Sequence, residues 1–145
     1  MIDPKFINDV EREIKKFFGK IDMNAIMPEI GNILDFAVAE QFLTDGSYFL
    51  GKKWEPLAES TQKAKEKKGR SATTNLLRDT GTLFNSIQYT IFGNSIQVGT
   101  NLEYGTYLQY GTKFMPARPF LPIHGLPLET MKDIEYEVMQ YLMRI

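Results

Sequence analysis

Apolar residues recur at spacings of three and four from the start of the chain. Ile2, Phe6, Val10, Ile14, Phe17 and Ile21 form one stripe, with Asp9, Glu11, Glu13, Lys15 and Lys16 between them. That period is one face of an amphipathic helix. Pro4 sits in its first turn, where a missing N–H is tolerated, and Gly19 lies near its end. A second stripe of Ile26, Ile30, Ile33, Leu34, Ala37, Val38 and Phe42 predicts a second helix. Pro28 is expected in its opening turn, because deeper placement costs about 3 kcal/mol. The stretch TDGS at 44–47 stops it. Past Gly51 the rhythm changes. Trp54-Glu55-Pro56-Leu57 reads as extended or turning chain, 59–68 as a short exposed helix, and 69–74 as a mobile loop. Asp79 or Thr80 is expected to cap a brief helical turn through Leu83 and Phe84.

Two strand-like runs follow, SIQYTIF and SIQVGT, around Gly93-Asn94, a pair suited to a two-residue hairpin turn. Such a turn pairs Phe92 with Ser95, Ile91 with Ile96, Thr90 with Gln97 and Tyr89 with Val98. Apolar then meets apolar, so the register is consistent with its own pattern. Pro127 opens a final helix whose stripe is Met131, Ile134, Val138, Tyr141, Leu142 and Ile145, with Glu129 near its positive end. The order predicts one α+β domain over residues 1–145. It comprises a helical part at 1–43, sheet and loops at 44–122, and a C-terminal helix at 123–145. A small antiparallel sheet is expected to pack against the two N-terminal helices and the C-terminal helix. Two strands alone are marginal, so one or two more are expected near 45–55 or 112–121.

Composition narrows the chemistry. With no cysteine and one histidine, His124, thiolate nucleophiles, disulfides and paired-imidazole metal sites are excluded within the chain. His124 is expected at the surface or an interface. The glycines of YGTYLQYGT, Gly105 and Gly111, match neither a Walker loop nor a dinucleotide fingerprint. The carboxylate pairs Asp9/Glu13 and Asp133/Glu137 fall on predicted solvent faces. These readings imply no enzyme, no cofactor and no metal. No apolar run is long enough to cross a membrane and the N-terminus lacks a signal-peptide core, so the expected place of synthesis and residence is the cytoplasm.

Net charge is −1 but uneven: residues 51–70 carry seven bases and three acids, whereas residues 1–50 carry nine acids and five bases. The lysines of 61–70 are either a solubilising face or an arm that meets DNA phosphates or an acidic partner, and DNA binding would weaken steeply with salt. Trp54 is either core or an interface anchor. Arg118 precedes Pro119 and is therefore held extended. It suits either a clamp within the chain or a contact between chains.

Several residues now form an ordered set. Trp54-x-Pro56-Leu57, Thr61, Lys65, Leu76-Leu77-Arg78-Asp79-Thr80-Gly81-x-Leu83 and Ser86-Ile87 come first. Val98-Gly99-Thr100-Asn101, Tyr104, Gln109-Tyr110-Gly111 and Pro116-Ala117-Arg118-Pro119-Phe120-Leu121 follow. This set resembles the phage virion morphogenesis family of tailed bacteriophages and prophages, which includes Mu G-like and tail-completion proteins. The motifs span residues 45–122. One departure is Leu108, which stands where the family commonly has histidine. The resemblance implies a bent sheet, no enzymatic activity, and a structural protein of the head–tail junction, found in the virion and in host cytoplasm during assembly. The implied role is a tail-completion or tail-terminator subunit in a ring, with six copies expected, contacting tail-tube or head-connector proteins and passing DNA non-specifically. Head closure is the alternative role.

Interface candidates are Trp54, Lys65, Lys67, Lys68, Arg70, Tyr104, Tyr107, Tyr110, Lys113, Phe114, Arg118 and Phe120. One ring patch is expected on a stiff arm at 112–122, the other on the sheet and residues 45–60.

Overall fold

The structure, a computed structural model, describes residues 4–19, 22–93, 95–122 and 125–144. Ile2, Ile21, Asn94, His124 and Ile145, named above, lie outside the described residues. Helices α1 (Pro4–Gly19) and α2 (Met23–Leu43) come first, then α3 (Ser47–Leu50), α4 (Glu59–Lys67) and α5 (Thr82–Ser86). Strands β1 (Gln88–Phe92) and β2 (Ser95–Gly99) precede α6 (Tyr104–Tyr110) and α7 (Leu128–Leu142). The chain is α+β, with a two-stranded antiparallel sheet.

The hairpin register follows from the alternation of its residues. Phe92 pairs with Ser95, Ile91 with Ile96, Thr90 with Gln97 and Tyr89 with Val98, and the ladder ends at Gln88 and Gly99. Tyr89, Ile91, Ile96 and Val98 are half-buried, while Gln88, Thr90, Ser95 and Gln97 are exposed. The sheet packs on α2, where the Tyr89 ring lies against Gly31 and its hydroxyl reaches Asn32 Oδ1 at 3.1 Å. Helix α7 also packs on α2; the Tyr141 hydroxyl accepts the Asp22 N–H at 2.6 Å, and Tyr48 bonds Thr130 at 2.7 Å.

The centre of the molecule is Phe42, fully buried, with Phe120, Val38, Leu83, Trp54 and Leu76 around it. Phe42 meets Trp54 edge-on at 6.2 Å and Phe84 at 5.3 Å, and lies tilted to Phe120 at 5.6 Å. Such ring pairs contribute about 0.5–1.5 kcal/mol each beyond their burial. Helix α2 thus carries the core on one side while supporting the hairpin and α7.

Three local expectations need correction. Pro28 is not in the first turn of α2: the helix begins earlier, at Met23, because the Asp22 carboxylate accepts the Asn24 N–H at 3.0 Å. Helix α5 is capped by Gly81, at φ 82°, rather than by Asp79 or Thr80, and the Asp79 carboxylate pairs with Arg70 at 2.9 Å. The additional strands do not form in 45–55 or 112–121. Asp45, Gly46 and Gly51 take positive φ around α3, which no strand accommodates. In 112–121 a single bridge joins Thr112 to Met115, and Pro116 and Pro119 have no N–H to give a ladder.

Candidate docking site

What replaces the missing strand is a strap, residues 117–121, whose backbone groups are bonded mostly by side chains. The Pro119 carbonyl accepts Gln41 Nε2 at 2.8 Å and Trp54 Nε1 at 2.9 Å. Gln109 Oε1 accepts the N–H groups of Phe120 and Leu121, both at 3.0 Å, and its Nε2 donates to Leu121 O at 3.2 Å. The Arg118 N–H donates to Leu108 O at 2.7 Å. The Arg118 side chain, 5 % exposed, donates from Nε to Glu55 O at 3.0 Å and from Nη2 to Pro56 O at 2.8 Å. Burial lowers its pKa, and the charge of Glu55 opposes that shift. Guanidinium pKa values lie so high that Arg118 stays charged.

This geometry sorts the sequence candidates. Trp54, Lys65, Arg118 and Phe120 are buried within the chain itself. In this fold these four are engaged in contacts within the chain. Of the two readings of Arg118, the intrachain clamp is the one realised. Lys65 Nζ reaches Asn75 O at 3.4 Å, so the lysine face of α4 is divided: Lys65 turns inward while Lys67 and Lys68 stay exposed. Arg70 is half-exposed beside Asp79. The Asp79 carboxyl is held below its ordinary range by its hydrogen bond to Arg70, with desolvation opposing and the charges of Arg70, Lys65 and Lys68 assisting. The 112–122 segment is therefore no free arm beyond Pro116.

The remaining candidates come together. Tyr104, Tyr107 and Tyr110 are spaced by three on α6, so they share one face, and they are 44 %, 57 % and 68 % exposed. The opposite face, with Gly105 and Gln109, is buried. A Cβ at Gly105 would stand 2.8 Å from Thr100 Cγ2, so the helix lies close against the core only because that side chain is absent. Sequence reasoning placed this stretch among the loops of 44–122 and missed α6. Its signal was the period-three tyrosines, obscured by the two Tyr-Gly-Thr triplets.

Gly111 ends α6 at φ 74°, ψ 175°, and its N–H bonds Tyr107 O at 2.8 Å. The chain then folds into a tight turn. Thr112 N–H reaches Met115 O at 3.0 Å, Met115 N–H reaches Thr112 O at 3.3 Å, and Phe114 N–H reaches Thr112 Oγ1 at 3.1 Å. Phe114 stands at the tip, 89 % exposed, with Lys113 Nζ 5.3 Å over its ring. Beside Tyr104 and Phe114 runs a groove of about 570 Å³ floored by Leu57, Leu76, Leu83 and Leu108. Leu108, the residue that departs from the family's histidine, contributes apolar surface to it.

The charged groups of the groove are Glu55, Asp79 and Arg118. Asp79 faces Arg70, and Arg118 is fixed on two carbonyls. The groove thus has an apolar floor and an aromatic rim. Among the described residues no group of His, Cys, Asp or Glu converges as a metal site, and no helix is long and apolar enough to cross a membrane.

Fold and site together define a small α+β protein with an exposed aromatic ridge beside an apolar groove. The profile of the phage virion morphogenesis family matches residues 7–143, and the chain belongs to that family. The match extends well past the motif-bearing 45–122, taking in most of α1 and all of α7. Comparison with curated proteins and with solved structures gave no match. Membership assigns the chain to phage virion morphogenesis and associates it with the virion.

Proposed function

We propose that this chain is a tail-completion or tail-terminator subunit of a ring at the head–tail junction, and that the α6 ridge and its groove attach it to the tail. The carrying observation is the contrast within one segment. Residues 117–121 are fastened internally, whereas Tyr104, Tyr107, Tyr110 and Phe114 beside them are exposed on short, well-bonded elements. Rigid exposed aromatics lose little conformational entropy on binding and dominate interface energetics. Family membership supplies the setting, and the role is structural rather than catalytic.

Imaging by cryo-electron microscopy of tail tubes incubated with the protein tests the reading. The expected result is a closed ring of this chain at the end of the tube that faces the head. Tyr107→Ala combined with Phe114→Ala should keep the melting temperature, since both side chains are mostly solvated. It should weaken attachment by about tenfold or more, roughly 1.4 kcal/mol. Rings located only on the head vertex would favour head closure instead, and unimpaired attachment of the double variant would remove the ridge from the interface.

A further inference from the structure

The hairpin carries surface that the ridge does not explain. A two-residue turn makes Phe92 and Ser95 a hydrogen-bonded pair, and alternation then makes Tyr89–Val98 and Ile91–Ile96 non-bonded pairs. The N–H and C=O groups of Tyr89 and Ile91 therefore point away from β2, and those of Ile96 and Val98 away from β1. Among the described residues no hydrogen bond reaches these groups, and each strand has one neighbour.

Single-chain proteins protect such edges with charges, prolines or bulges. Neither strand, QYTIF nor SIQVG, contains a charged residue or a proline, and five consecutive pairs run without a bulge. The outward face is neutral too, with exposed Gln88, Thr90, Ser95 and Gln97. Packing on α2 covers one face of the hairpin but neither edge.

We infer that the occupant of each edge is a second copy of this chain, β1 of one subunit pairing with β2 of the next so that the ring closes a continuous antiparallel sheet. This rests on the ring proposed above and specifies how it is joined. A second copy satisfies what the edge requires: its β2 has the same length as β1, carries no charge, and presents outward donors and acceptors at the same alternation. Head-to-tail repetition also preserves the up-down order of strands. Pairing β1 with β1 about a two-fold axis would leave both β2 edges bare, whereas a closed ring leaves none.

Hydrogen exchange followed by mass spectrometry on the isolated chain and on assembled rings gives the first readout. The amides of Tyr89, Ile91, Ile96 and Val98 should exchange freely in the monomer and on the order of tenfold or more slowly in the ring. Two variants give the second. Ile91→Pro removes an outward donor from β1, and Val98→Pro removes one from β2. Each alone should fail to form rings, while an equal mixture should give a heterodimer through the remaining intact edges. Rings whose four edge amides still exchange freely would overturn this joint and leave the ring itself standing. Homodimers of either single variant would show two-fold pairing instead, and protection seen only with a strand of another protein would replace the second copy as occupant. A chain that stays monomeric when concentrated and on tail tubes would overturn the ring and this joint together. Should either variant fail to fold, the exchange measurement on the unaltered chain decides.

Discussion

Replacing Gln109 by alanine isolates the device that holds the strap in place. The side chain is 4 % exposed and serves three backbone groups, the N–H groups of Phe120 and Leu121 and the carbonyl of Leu121. Alanine leaves all three without a partner. The Phe120 amide belongs to a residue only 1 % exposed and has no water to turn to; such an orphan costs about 1–3 kcal/mol. Leu121 is half-buried, so its groups regain part of their loss from solvent. The vacated volume adds a smaller cavity contribution. The expected total is about 2–4 kcal/mol, taking the orphan and cavity costs together. In a chain of this length that lowers the melting temperature by about 6–12 °C. Urea denaturation monitored by circular dichroism measures it, with Glu135→Gln on the exposed face of α7 as a control expected within about 0.5 kcal/mol of the parent. Exchange at the Phe120 amide should accelerate in parallel. A loss below about 0.5 kcal/mol, with that amide still protected, would refute the idea that side-chain amides stand in for a missing strand.

Three further outcomes follow from the same geometry. Arg118→Lys cannot reach the Glu55 and Pro56 carbonyls together, so urea titration should show a loss of about 2–4 kcal/mol despite the retained charge. Gly111→Ala should cost about 2–4 kcal/mol in the same assay, because φ 74° with ψ 175° is a region that glycine alone occupies readily and the new Cβ would stand 2.7 Å from Ala117 N. For Asp79 the folded pKa is lowered, so its pairing with Arg70 stabilises the fold above the unfolded value of about 3.9 and is lost as pH falls through the lower, folded value. Carboxyl NMR should show Asp79 titrating below the ordinary range. Asp79→Asn should remove that acid-side component of the pH–stability curve; a curve identical to the parent's would argue against it.

Much of this molecule is written in local periodicity. The stripe through Phe42 defined the face of α2 that meets the core, and alternation around Gly93 set the hairpin register pair by pair, since a slip by one residue would have turned Tyr89, Ile91, Ile96 and Val98 toward solvent. The ordered motifs from Trp54 to Leu121 pointed to the family that the whole-chain comparison then established. Periodicity could not say where Pro119 finds its hydrogen bonds. Its partners, Gln41 and Trp54, are distant in the chain, and an amide side chain in a helix reads the same whether it faces water or a backbone. The same holds for α6: three tyrosines and two glycines fit a turn or a helix equally until Gly105 is seen pressed against Thr100. The sequence alone thus determined which segments are helix or strand wherever one face is repeatedly apolar, because burial selects for period. Only the tertiary structure decided that Arg118, Trp54 and Phe120 face inward while Tyr107 and Phe114 face outward. That choice depends on polar groups meeting partners far along the chain, and no local rule contains those partners.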